Sequence, residues 1–380
     1  MSSVGPDGQH ARTGGDGTDR TAYSVQAKGI RMSTPSSAEQ RQQTATPDAD
    51  GEGRGDFTAR AEQYRRELFA HCYRMSGSVH EAEDLVQETF LRAWRGYHAF
   101  EERASMRTWL HRIATNVCLT SLEGQARRPL PTGLGQPSAD PSEPVHAEGE
   151  VPWLSPVPDA LVASSPEGAA EAQEGIRLAF VAALQHLPPR QRAALVLRDV
   201  LRWKAAEVAE AVGTSTAAVN SALQRARETV RKAELTRDGA SGTLTPEQNA
   251  LLERYVQAFW EKDIEGLVGM FTDQAVWEMP PFPGWYQGAR TIGTLIDTQC
   301  PGTARMMVMV PTSANGQPAF GLYMRGPDGS YTPFHLQVLA LEGDKVAHVG
   351  AFFDEDLFAT FGLPPALPAD TAPFTGVPAP

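Results

Sequence analysis

"EVAEAVGTSTAAVNSALQRARE", residues 207–228, is the stretch whose spacing decides how the chain is read. Ala205, Val208, Ala209 and Val212 recur at helical intervals. Gly213 ends that helix, because glycine adopts the left-handed conformation without steric cost. Ser215 or Thr214 then caps a second helix through a side-chain oxygen. On this helix Val219, Leu223 and Ala226, three or four apart, form an inward stripe. Asn220, Ser221, Gln224, Arg225 and Arg227 are left facing outward. Amide side chains bond adenine edges bidentately, and arginine bonds guanine or phosphate. The pattern is that of a helix-turn-helix whose second helix reads DNA. An ordinary helical hairpin with a solvated face is the alternative. Upstream, "LPPRQRAALVLRDVL" sets Leu195, Val196 and Val200 on one face of a supporting helix.

The rest of the chain sets the context. Its 380 residues exceed one compact core and imply two or three domains. A net charge of -12 argues against nucleic-acid binding by the chain as a whole. The charge is uneven, however. Residues 190–237 hold ten Lys/Arg against five Asp/Glu, while residues 244–380 hold six against fifteen. A basic segment in an acidic chain suits a local DNA contact. Cys72, Cys118 and Cys300 are far apart in sequence and fit no metal spacing, so reduced, buried thiols in a cytoplasm are expected. No apolar run of about 18 residues and no signal pattern exists, so no membrane association is expected. No metal or cofactor is expected either.

Composition divides the chain further. Residues 1–56 carry almost no large apolar side chains and should be a disordered extension. Residues 57–128 are helical in pattern. Residues 129–170 form a Pro/Ala/Ser/Glu-rich linker, broken by an apolar island, "VPWLSPVPDALV", that should dock on something. Residues 171–237 are helical again, and "DGASGT" (238–243) is a second, short linker. Residues 244–362 pass from helices to alternating apolar runs with glycine turns, an α+β pattern. The Pro/Ala-rich tail, 363–380, should be loose.

"HLPPRQRAALVLRDVLRWKAAEVAEAVGTSTAAVNSALQRARETV" resembles region four of bacterial sigma factors, the module that binds the minus-thirty-five promoter element. The resemblance implies that Asn220, Ser221, Gln224 and Arg225 face bases and Arg227 the DNA backbone. Family members often carry arginine where this chain has Asn220, which bears on the sequence read rather than on the mode of binding. A second half is present. "HEAEDLVQETFLRAWRGYHAF" has an apolar stripe of Ala82, Leu85, Phe90, Ala93 and Tyr97, with Asp84, Gln87 and Glu88 off it. These three read as a solvated face on their own. But "DLVQETF" resembles the region-two helix that docks on core RNA polymerase, which implies contacts from Asp84, Gln87 and Glu88 to a basic partner. In "EERASMRTWLHRIATNVCLTSLEGQARR", Trp109, Ile113 and Val117 share a helix face. This segment is similar to the promoter-melting, minus-ten part of region two. That implies DNA-binding roles for Arg107, Trp109, Arg112 and Asn116, with an unpaired base held by the loop at 101–106. Capturing a single-stranded base supplies about 1–3 kcal/mol, enough to offset much of the unpairing of a weak A·T step. Two such modules joined by a linker describe the extracytoplasmic-function (ECF) group.

The third segment, from "LTPEQNALLERYVQAFWEKDIEGLVGMF" to "PFHLQVLALEGDKVAHVGAFFD", resembles the cone-shaped SnoaL-like α+β fold. Trp277, Glu278, Trp285, Tyr286, His335 and His348, with Asp354, are candidates to line a small-molecule pocket there. Core packing is the bland reading of Trp277. Two function classes remain. One is a transcription initiation factor that binds core RNA polymerase and promoter DNA and is controlled in cis by its C-terminal domain. The other is a SnoaL-like isomerase or hydrolase tethered to a DNA-binding module. A tether needs no polymerase-docking helix, so "DLVQETF" favours the first.

Overall fold

The computed structural model describes residues 57–100, 104–147, 151–162, 175–234 and 244–373. The expected disordered extension, part of the 101–106 loop, the "DGASGT" linker and the end of the tail lie outside the described residues.

The first module is built on α1 (Arg65–Ser76), α2 (Val79–Gly96) and α3 (Met106–Ser121). Ser78 and Ser105 start the last two helices by accepting hydrogen bonds from the Glu81 and Thr108 amides. Leu68, Cys72, Ala82, Val86, Leu110 and Cys118 are buried between the helices. Cys72 and Cys118, far apart in sequence, meet here with sulfurs 3.8 Å apart because α1 packs on α3. The stripe on α2 also differs from expectation at one position. Thr89 is buried, its hydroxyl bonded to the Leu85 carbonyl, whereas Phe90 sits at the flank under the Arg65 guanidinium, 4.9 Å from its ring centre.

After a short helix, α4 (Asp159–Val162), the second module comprises α5 (Leu178–Gln185), α6 (Pro189–Leu195), α7 (Ala205–Ala211) and α8 (Thr216–Glu234). A wide turn at Val196–Val200 extends α6. Arg192 is buried between the two modules and bonds the Met75 carbonyl and Gln185 Oε1.

The last segment folds as α9 (Pro246–Glu261), α10 (Ile264–Met270), β1 (Phe271–Glu278), β2 (Trp285–Gln287), α11 (Ala289–Gln299), β3 (Met307–Ala314), β4 (Gln317–Arg325), β5 (Tyr331–Glu342), β6 (Lys345–Phe352) and α12 (Asp356–Thr360). The sheet order is β2-β1-β6-β5-β4-β3, with β1 and β6 parallel and the other pairs antiparallel. This is the α+β architecture expected from the sequence.

Because side chains alternate along a strand, register assigns each residue a face. Trp277 pairs with Val349 and Val349 with Leu339, and these pack with Leu251, Tyr255 and Phe259 of α9. The opposite face carries Ala319, Leu336, Val338 and Phe352, which belong to one hydrophobic cluster with Val181, Leu184 and Leu195 of the second module and Leu68 of the first. The described residues lie in one compact unit.

Two seams join the sheet to the helices. At the β3–β4 turn, Asn315 is fully buried with φ 56°. Its side chain accepts from the Val157 amide and donates to Tyr73 Oη and the Ile176 carbonyl at 2.9, 2.9 and 2.6 Å. Asp159 Oδ1 accepts from the adjacent Gly316 amide. Leu154 and Val157 of the apolar island are buried in the same place. The second seam involves the earlier part of the linker, at β1 and β2. Within the tail expected to be loose, Leu363, Pro364 and Leu367 contact the sheet. Leu367 and Tyr331 exchange both backbone hydrogen bonds, because β5 begins with a free edge there.

Candidate nucleic-acid interface

The turn between α7 and α8 forms as its composition requires. Gly213 has φ 67°, and Ser215 Oγ accepts from the Ala218 amide. Val219, Leu223 and Ala226 are buried, and Asn220, Ser221, Gln224, Arg225 and Arg227 are all exposed on α8. Arg227 differs from the others in being engaged. It makes two hydrogen bonds to the Asp199 carboxylate, at 2.8 and 2.6 Å, and this pairing raises its pKa.

On α2, Asp84 and Gln87 are exposed, and Glu88 is half-buried and bonded to Arg92 one turn on. Leu91, which the sequence reading passed over, stands on the same side at 51% exposure. The intervals 84, 87, 88 and 91 make one outward stripe. The same spacing rule that found the inward stripe would have found this apolar residue in the middle of a polar face.

The four α3 residues do not act as a free set. Trp109 packs on Phe100, with ring centres 4.7 Å apart. Asn116 is exposed, and its side chain donates back to the Arg112 carbonyl one turn earlier in the same helix. Arg107 binds both oxygens of Glu67 on α1. Burial alone would raise the Glu67 carboxyl, but the Arg107 hydrogen bond and the neighbouring positive charges hold it below the ordinary value. Arg112 reaches across modules to Glu210 on α7, at 2.9 Å.

The sheet divides the six pocket candidates between its two faces. Trp277, Tyr286 and His335 lie on the face covered by α9 and α11. Glu278, Trp285 and His348 lie on the face toward the helical modules. Asp354 is exposed beyond β6 and accepts from the Asp356 amide. On the first face, Tyr255 Oη donates to Gln337 Oε1, so the Gln337 amide nitrogen must donate to His335 Nε2, 2.9 Å away. This puts the His335 proton on Nδ1. Burial drives the imidazole pKa down to about 3, so the ring is neutral, and neither Nδ1 nor the indole nitrogen of Trp277 has a hydrogen-bond partner. On the second face, Glu278 is wholly buried. Its Oε1 accepts from His348 Nε2 and its Oε2 from the Thr132 amide, both at 2.7 Å. The Trp285 indole donates to the Gln136 carbonyl. The Glu278–His348 pair therefore sits beneath the linker rather than on the side of the sheet covered by α9. Among the described residues, no group of three or more His, Cys, Asp or Glu is placed to hold a metal ion, and no helix is long and apolar enough to cross a membrane.

Comparison with known proteins gives matches of the same kind along the chain. Residues 61–128 match the family described as Sigma-70 region 2, and residues 177–230 match Sigma-70, region 4. The ECF RNA polymerase sigma factor SigG of Mycobacterium tuberculosis is 58% identical over 324 residues, which span 83% of this chain and 86% of that protein. The ECF RNA polymerase sigma factor SigJ of the same species is 33% identical over 211 residues, 55% of this chain and 60% of that protein. The crystal structure of SigJ superimposes with a TM-score of 0.54 at 25% identity, covering 82% of this chain and 99% of that one.

Proposed function

The chain belongs to the extracytoplasmic-function family of RNA polymerase sigma factors, and from that premise we propose how its parts divide the work of starting transcription. Such a protein binds core polymerase and promoter DNA and is not an enzyme. Here α8 reads the minus-thirty-five element through Asn220, Ser221, Gln224 and Arg225. The exposed side of α3 takes the minus-ten element, and the α2 stripe of Asp84, Gln87, Glu88 and Leu91 docks on polymerase in the cytoplasm. A polar docking face suits a partner that must later release.

The C-terminal domain controls this activity in cis. The observation that carries this reading is the shared core: one face of its sheet packs in the same cluster as both helical modules. The Arg112–Glu210 pair supports it, since a promoter contact by Arg112 requires region four to let go of that side chain. Truncation after the second module is a poor test, because it uncovers the apolar residues that pack on the sheet. The better test is run-off transcription by core polymerase with the parent chain and with Asn315→Ala, which loosens the seam without removing it. Transcript from a cognate promoter should differ between them at equal active concentration. Equal transcript across ionic strength would refute cis control.

The unpaired donors of His335 and Trp277 favour a second role for the α9-covered side, as a site for an uncharged small molecule bearing acceptor oxygens. A ligand of that kind should raise the melting temperature of the parent and not that of a His335→Leu variant.

A further inference from the structure

The turn Pro131–Leu134 is held by all three parts of the molecule. Its Thr132 amide donates to Glu278 on the sheet. Its Gly133 carbonyl accepts from Arg127, at the end of the first module, at 3.0 Å. His186 of the second module lies alongside: its Nδ1 is 3.2 Å from Arg127 Nη1, and a Cβ added to Gly133 would stand 3.7 Å from its Nε2. Leu130 and Pro131 are buried, so the turn is inset. Beyond it the chain runs along the outer edge of the sheet. Ala139 donates its amide to the Trp285 carbonyl, Ser138 Oγ accepts from the Gln287 amide, and the Pro141 carbonyl accepts from Thr298. One backbone bond to β2, one side-chain bond to β2 and one side-chain bond from α11 tie this segment down.

The length of the connection does not hold the modules together. From Arg128 to Arg177 it is about 50 residues, which could span more than 100 Å if extended. What keeps it short is docking. The Glu278 carboxylate is also expensive to leave buried without its hydrogen bonds, so partial release of the turn is disfavoured against full seating or full departure.

We propose that Glu278, oriented by His348, and the edge of β2 form a docking site for residues 131–141, and that departure of this segment is the step that frees the two helical modules from each other. The proposal rests on cis control by the C-terminal domain and names its moving part. Glu278 and His348 are positioning residues in this account.

Hydrogen exchange of the full-length chain tests it, read at the linker amides and paired with run-off transcription. Glu278→Ala removes the acceptor. Thr132→Pro removes the donor and leaves the sheet untouched, so it serves if Glu278→Ala misfolds. Gln136→Ala keeps the backbone carbonyl that the Trp285 indole bonds and is the control. Exchange across residues 130–141 should quicken about tenfold or more in the first two and match the parent in the third. Transcript should change in the same two variants only. Unchanged linker exchange in Thr132→Pro would overturn the docking site. Faster exchange with parental transcript would overturn its role in release. In either case Asn315→Ala still reports separately on cis control.

Discussion

Asn315 combines a left-handed backbone with three buried side-chain hydrogen bonds, and each demand narrows the choice of residue. The Asn-Gly pair at 315–316 suits a hairpin turn in which both residues have positive φ, here 56° and 67°. Asn315→Ala strands the Val157 amide and the Ile176 carbonyl, leaves the Tyr73 hydroxyl only its bond to the Ser155 carbonyl, and also strains the turn. It should cost about 2–4 kcal/mol, measured by urea unfolding. Asn315→Gly relieves the turn but not the orphaned partners, so it should fall between alanine and the parent. The buried imidazoles make a separate prediction. Burial lowers the pKa of His71, His111 and His335, the last to about 3. An unfolded imidazole takes up its proton near pH 6.5, while the folded ones resist it. The stability they contribute is therefore complete above that pH and lost as pH falls below it, by about 1.4 kcal/mol per pH unit for each ring until its folded pKa is reached. His335→Leu should flatten the acid limb of stability, between pH 7 and 5, by about one proton. An unchanged slope would mean that this ring is protonated in the fold.

At the scale of single elements, much could be read from spacing, and the exceptions have physical causes. The inward residues of α8 and the caps at Ser78 and Ser215 follow from helical period and side-chain chemistry alone. The Arg112–Glu210 and Thr132–Glu278 bonds join residues 98 and 146 positions apart, which no local pattern encodes. Adjacent Trp277 and Glu278 were grouped as one pocket although alternation sends them to opposite faces. Both are buried, at 3% and 0% exposure, because β1 is covered on both sides, so its sequence carries no polar alternation to mark an inside. Helix α8 yields a direct test. Gln224→Ala should weaken binding at a preferred promoter position by about 1–3 kcal/mol and leave random duplex unaffected. Equal loss on both DNAs would remove Gln224 from the base readers. For α2, Leu91→Lys should reduce co-purification with core polymerase several-fold while leaving the urea midpoint unchanged, since half of that side chain already meets water. Asp84→Arg with Glu88→Arg should do the same through charge reversal.

The molecule as a whole has more domains by composition than by packing. Linkers, charge and periodicity separate three segments, yet Leu68, Leu184 and Leu336 lie in one apolar cluster. Unfolding of the full-length chain should therefore be a single transition, with the same midpoint reported by the helix signal and by hydrogen exchange of the sheet amides. Two separated midpoints would show that the seams contribute little. The docked apolar face of the sheet also bears on inheritance. A recombination event that moved the last segment onto another sigma factor would transfer only one wall of a core, and the recipient would have to supply matching side chains on its own helices before the graft could settle. Such a domain is expected to be passed down with its partner helices, substitution answering substitution across the joint, rather than traded between lineages as an interchangeable cassette.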